Sequence, residues 1–144
     1  MLGYLLQEKE LLATSKRIDM AVLKNASIQA LSRRVPVPPN ELLRGNQSFG
    51  HLMSRGHNDV RVIPSPDYPA PFTNSVYYRG GYTTQTYHTN ASQDGLDVIQ
   101  IELPRHMRFT NSEQELAAVA VSNATIHWLN AYYQPVELRR SSLL

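Results

Sequence analysis

The segment Gly95–Arg108, GLDVIQIELPRHMR, carries the carboxylate Glu102 near the end of a run that is apolar apart from Asp97 and Gln100. Open α/β sheets place ligands and reactive groups at such strand ends. A carboxylate partly withdrawn from water there suits general acid or base work. Gln100 lies two residues earlier, so on a strand it shares a face with Glu102. A glutamine and a glutamate side by side in an apolar strand need hydrogen-bonding partners or a ligand. The competing reading is a salt bridge from Glu102 to Arg105 or Arg108 that closes the strand end, and the residues alone leave both open.

Arg79-Gly80-Gly81-Tyr82 joins a guanidinium to two flexible amides, a combination that can hold a carboxylate or phosphate. A Gly-Gly pair more often marks a tight turn or bulge. Arg44-Gly45 with Ser48 forms a second possible anion site, with helix capping by Ser48 as the simpler explanation. The five histidines, His51, His57, His88, His106 and His127, contain no HxxxH or HExxH spacing, so no three-ligand metal site assembles from them. GxSxG, P-loop and GxGxxG motifs are absent, which leaves serine-hydrolase and nucleotide-binding readings without support.

These residues must be held by a chain of 144 residues, the length of one ordinary domain, with formal charge +2 and no cysteine. Disulfides, thiolate zinc sites and cysteine nucleophiles are thereby excluded. The thinly spread charge, with no basic stripe interleaved with aromatics, argues against a nucleic-acid partner. No apolar run has the roughly 18 to 20 residues of a membrane helix and no signal-like start is present, so neither a membrane nor secretion is expected and the expected location is cytoplasmic.

Hydrophobic spacing predicts a short strand over Gly3–Gln7, one interrupted helix or two turns over Glu8–Lys24, and a helical turn over Ser27–Arg34. The run VPVPP imposes an extended connection. Ser48 is the expected N-cap of a helix FGHLMSR ended by Gly56. Val60–Ile63 reads as a small strand, Pro64–Phe72 as irregular chain, and Tyr77–Tyr87 as β-type residues around the Gly-Gly pair. Leu96–Leu103 reads as a central strand covered on both faces. Asn111 or Ser112 should cap a long helix reaching about Tyr133, with Glu113 and Glu115 in its first turn and Ala117, Val121, Ala124, Trp128 and Ala131 facing the core. Residues 134–144 form the expected frayed tail of a single domain spanning 1–144.

Six segments resemble the N-formylglutamate amidohydrolase-like family of zinc hydrolases in collinear order: GYLL (Gly3–Leu6), SIQALSRR (Ser27–Arg34), LLRGNQSFGHLM (Leu42–Met53), PSPDYPAP (Pro64–Pro71), YYRGGYTTQTY (Tyr77–Tyr87) and DVIQIELPRHMR (Asp97–Arg108). The last two are the most specific. The resemblance implies an α/β fold, a mixed sheet flanked by helices in a partial zinc-carboxypeptidase-like architecture. It also implies one zinc ion that activates water for attack on an amide carbonyl. Glu102 takes the place of the general base and acid. Arg79, Gly80, Gly81 and Tyr82 fall in the substrate loop, Gln100 beside the catalytic carboxylate, and Arg108 where a substrate carboxylate would be held.

The departures carry equal information. The family's metal ligands, including an Asp-x-His segment, precede the GYLL strand with which this chain begins, so no metal ligand is assigned and the chain alone is expected to bind no zinc. His88 stands where the family commonly has glycine. The expectation is therefore the C-terminal part of a zinc-dependent amidohydrolase acting on small N-acyl amino acids such as N-formylglutamate, with the N-terminal half missing and the isolated chain inactive. The alternative is a non-catalytic remnant serving as a binding or interaction module.

Overall fold

A computed structural model of the chain describes residues 1–13, 18–55, 60–88 and 95–133. Strand β1 (Leu2–Gly3) runs antiparallel to β2 (Gln100–Ile101), with Leu2 opposite Ile101 and Gly3 opposite Gln100. The Glu102 N–H extends the pairing by donating to the Met1 carbonyl at 2.8 Å.

Among the described residues these two strands are the whole sheet. The mixed α/β sheet flanked by helices is not formed, and the described chain is mostly helical. The reason is where the backbone groups find partners. Leu2 donates outward to the Ile63 carbonyl (2.7 Å) and Leu5 to the Arg79 carbonyl (2.6 Å), single bonds to loops with no ladder. Leu5 itself adopts φ 65°, which turns the chain out of the extended conformation directly after β1. On the other strand, Val98 N–H donates to the Ser27 carbonyl at 3.0 Å and the Ser27 hydroxyl donates to the Val98 carbonyl at 2.5 Å. Val98 thus satisfies both of its backbone polar groups on Ser27 instead of on a further strand. The central strand expected over Leu96–Leu103 shrinks to Gln100–Ile101, half-buried, and Leu96 is 61% exposed where cover on both faces was expected.

The helices follow local rules more closely. Glu8–Lys24 yields α1 (Glu8–Ala13) and α2 (Met20–Leu23), the second capped by the Asp19 carboxylate, which accepts the Ala21 and Val22 amides at 2.9 and 3.0 Å. Helix α3 covers Gln29–Arg34. The proline run is extended only to Pro38, because Pro39 occupies the first turn of α4 (Pro39–Arg44), where its missing N–H costs nothing. Helix α5 (Phe49–Ser54) begins as expected, with Ser48 Oγ accepting the His51 amide at 3.2 Å; the expected stop at Gly56 lies outside the described residues.

Tyr82–Tyr87, expected to be β-type, is helix α6. Tertiary contacts override the β-propensity of its Tyr and Thr residues. Helix α7 (Asn111–Tyr132) follows Thr110, which makes no side-chain capping bond, so neither Asn111 nor Ser112 is the cap. It buries Ala117, Ala120, Ala124, Trp128 and Tyr132, while the predicted Val121 and Ala131 are only partly buried. Trp128 meets Phe49 of α5 edge-on at 5.7 Å, and Tyr132 at the same distance. The tail 134–144 lies outside the described residues.

Two contacts lock this framework. Asp97 is ion-paired with Arg34, accepts the Leu31 amide at 2.8 Å and accepts the Tyr133 hydroxyl at 2.8 Å, tying α3 to the residue that ends α7. Gly3 lets β1 lie against the Arg79–Gly80 peptide: a Cβ there would sit 2.7 Å from the Arg79 carbonyl carbon and the Gly80 nitrogen. Gly3→Ala should therefore force backbone apart and destabilise the protein by about 1–3 kcal/mol in urea unfolding.

Buried tyrosines supply a pH dependence. Tyr4 is fully buried and its hydroxyl has no hydrogen-bond partner among the described residues. Burial, and secondarily neighbouring Tyr77, push its phenol above the ordinary tyrosine range. Burial does the same to Tyr77 and, with the Asp97 hydrogen bond, to Tyr133. Folded pKa values above the unfolded ones give stability that is complete below about pH 10 and lost as pH rises further. The melting temperature should accordingly fall above about pH 10, and Tyr4→Phe should flatten that fall without loss of stability at pH 7.

Candidate functional site

The site is built around the carboxamide of Gln100. Its oxygen accepts the Gly81 amide at 2.5 Å and the Thr84 hydroxyl at 3.1 Å, and its nitrogen donates to Glu102 Oε1 at 2.5 Å. Two donors on one side and a carboxylate on the other fix which amide atom points where. The residues Gln100 and Glu102 do share a face, as their spacing implied. Glu102 Oε2 makes no hydrogen bond among the described residues.

Gly80 makes this approach feasible. It adopts φ 131°, a conformation open to glycine, and turns the chain so that the next amide faces Gln100. Thr84, 1% exposed, is the only buried residue of α6, so that helix is docked largely through its bond to Gln100.

Glu102 also lies on the wall of a cavity of about 860 Å³, lined by Met1, Tyr78, the Glu102–Arg108 segment, Val60–Ile63 and Met53 of α5. Arg108 lines the same cavity. Neither it nor Arg105 pairs with Glu102; both guanidiniums stand over the Phe109 ring, at 5.8 and 5.7 Å from its centre. The strand-closing salt bridge is therefore not formed.

Of the residues singled out in sequence, the structure brings together Gly81, Gln100 and Glu102 by hydrogen bonds and places Arg108 in the cavity with Glu102. Gly80 shapes the turn. Arg79 is exposed and contributes its carbonyl to Leu5, and Tyr82 is 83% exposed; neither lines the cavity. Arg44 is no anion site: its guanidinium is spent on Asn40 Oδ1 (2.8 Å) and the Leu11 and Pro69 carbonyls (each 3.3 Å). His88 Nδ1 lies 2.9 and 3.0 Å from the Thr84 and Gln85 carbonyls, so that nitrogen carries the proton and closes the end of α6. His57 lies outside the described residues. Sequence reasoning missed Thr84 and Arg61, weighed His106 only as a metal ligand, and weighed Arg105 only as a salt-bridge partner. A threonine in a segment of β-type residues and a lone arginine on an extended segment carry no local signal of the partners that folding brings to them.

Among the described residues no three His, Asp or Glu side chains come close enough to hold a metal ion. The described residues therefore do not form a zinc site. No helix among them is long and apolar enough to cross a membrane. Comparison with protein-family models, curated proteins and solved structures gives no match to this chain.

The Gln100 carboxamide is the most exposed to test. Gln100→Leu leaves the Gly81 amide and the Thr84 hydroxyl without their acceptor, a cost of about 1–3 kcal/mol. Amide exchange at Gly81 and across α6 should accelerate while α7 keeps its protection, as read by hydrogen-exchange NMR.

Proposed function

We propose that this chain supplies the general acid and base carboxylate, Glu102, of an amidohydrolase acting on N-acyl amino acids. The observation that carries the reading is the oriented pair Gln100–Glu102 on the wall of the cavity. A neutral amide N–H holds Oε1 and leaves Oε2 unbonded among the described residues, in position to take a proton from a nucleophilic water and return it to a leaving amine. The similarity of DVIQIELPRHMR and YYRGGYTTQTY to the N-formylglutamate amidohydrolase-like family supports the same assignment, with Arg108 toward a substrate carboxylate.

The group that polarises water in that family is zinc, and its ligands would come from outside the described residues. This chain's own share is narrower. Gln100 orients Glu102, and Thr84 and Gly81 orient Gln100. Arg79 and Tyr82, both exposed, would act only by closing over a bound ligand.

In the metal-loaded protein carrying the ligands that precede the GYLL strand in the family, Glu102→Gln should lower kcat for N-formylglutamate or a related N-acyl amino acid at least about 100-fold. Its melting temperature should be little changed. Undiminished turnover in that variant would remove Glu102 from the reaction, whereas no turnover in the unaltered metal-loaded protein would leave the binding-module reading in its place.

A further inference from the structure

The cavity beside Glu102 has a composition that the amidohydrolase reading does not require. Arg61, Arg105 and Arg108 line it together with His106, against a single carboxylate, Glu102. None of the three arginines makes an ion pair within the described residues, and each is held over an aromatic ring instead: Arg61 over Tyr68 at 5.8 Å, Arg105 and Arg108 over Phe109. Guanidiniums steered by aromatic faces keep their forked donors free for a carboxylate. Behind them the wall is hydrocarbon. Met53, Val60, Val62 and Met107, at 2–6% exposure, belong to the hydrophobic core and also line the cavity.

From this we infer that the cavity binds a carboxylate attached to an extended hydrocarbon body. Two features decide against a small dianion. The volume of about 860 Å³ is near the upper end of the roughly 300–1,000 Å³ that ligand cavities span, so a short dicarboxylate leaves most of it unfilled. A second carboxylate directed at Met53, Val62 and Met107 would lose its hydration without gaining a donor. Arg61, Arg105, His106 and Arg108 are exposed, while Val60, Val62 and Met107 of the same segments are buried in the core, which fits one charged end and one apolar end. Resting on the proposed amidohydrolase reading, the substrate class is then an N-acyl amino acid with a long acyl chain, its free carboxylate at the arginines.

Titration calorimetry on the 144-residue chain tests this with defined probes below their aggregation concentrations: N-octanoylglycine, its neutral counterpart N-octanoylglycinamide, octanoate and N-formylglutamate. Each methylene that leaves water tightens binding about fourfold. N-octanoylglycine and octanoate should therefore bind at least about tenfold more tightly than N-formylglutamate, and N-octanoylglycine at least about tenfold more tightly than the amide. Arg105→Gln together with Arg108→Gln, both exposed positions, should erase the preference for the acid over the amide while leaving the melting temperature unchanged. Equal or tighter binding of N-formylglutamate, equal binding of acid and amide, an unaltered preference in the double variant, or no binding of either octanoyl acid would each overturn the inference. Binding is read without turnover: octanoyl acids that bind as stated but are never hydrolysed by the metal-loaded protein would sink the amidohydrolase reading and leave this one standing.

Discussion

The backbone pairing of Met1–Gly3 with Gln100–Glu102 is the constraint on which the rest of the structure depends. It joins residues up to 101 positions apart, so the entropy of closing so long a loop must be met by what the pairing assembles. Leu2, Tyr4 and Leu6 enter the core beside it, each with no exposed surface. The same register sets Gln100 opposite Gly3, and Gly3 in turn rests on the Arg79–Gly80 peptide. One short ladder thereby fixes the distance between the IQIE segment and the RGGY segment, which are the two parts of the candidate site.

Hydrogen-bond satisfaction explains why so little sheet is needed. The extended residues on either side of the ladder hand their amides and carbonyls to Ser27, Ile63 and Arg79, and Asp97 spends its carboxylate on Arg34, Leu31 and Tyr133. Each such bond takes a group that a neighbouring strand would otherwise have to meet. The helices then bury their apolar faces on one another, with the aromatic contacts of Trp128 joining α7 to α5.

The site divides its charges by place. Glu102 is held by a neutral amide and carries no guanidinium partner, while three arginines stand along the same cavity over aromatic rings. An ion pair between them would consume both the carboxylate and the anion-binding capacity. Keeping them apart leaves the carboxylate and the three guanidiniums without an ion-pair partner among the described residues. This arrangement supports reading the cavity as a place for chemistry on a carboxylate-bearing ligand.

The sequence by itself determined the features whose causes are local. Ser48 as the cap of α5, the span of α7, the core role of Ala117, Ala124 and Trp128, and the shared face of Gln100 and Glu102 all follow from spacing and side-chain chemistry within a few residues. The mixed sheet was overturned because strand propensity records how a residue suits an extended backbone and not whether a neighbouring strand exists to receive its bonds. Tyr82–Tyr87 became helix for the same reason, since Thr84 and the Gly81 amide are fixed by Gln100, far away in sequence. The cavity was equally invisible, because Arg61, Arg105 and Met53 meet only when separate segments pack. Tertiary structure alone decided which polar groups find each other, and that choice separated the Glu102 carboxylate from the arginines that its sequence neighbourhood had offered it.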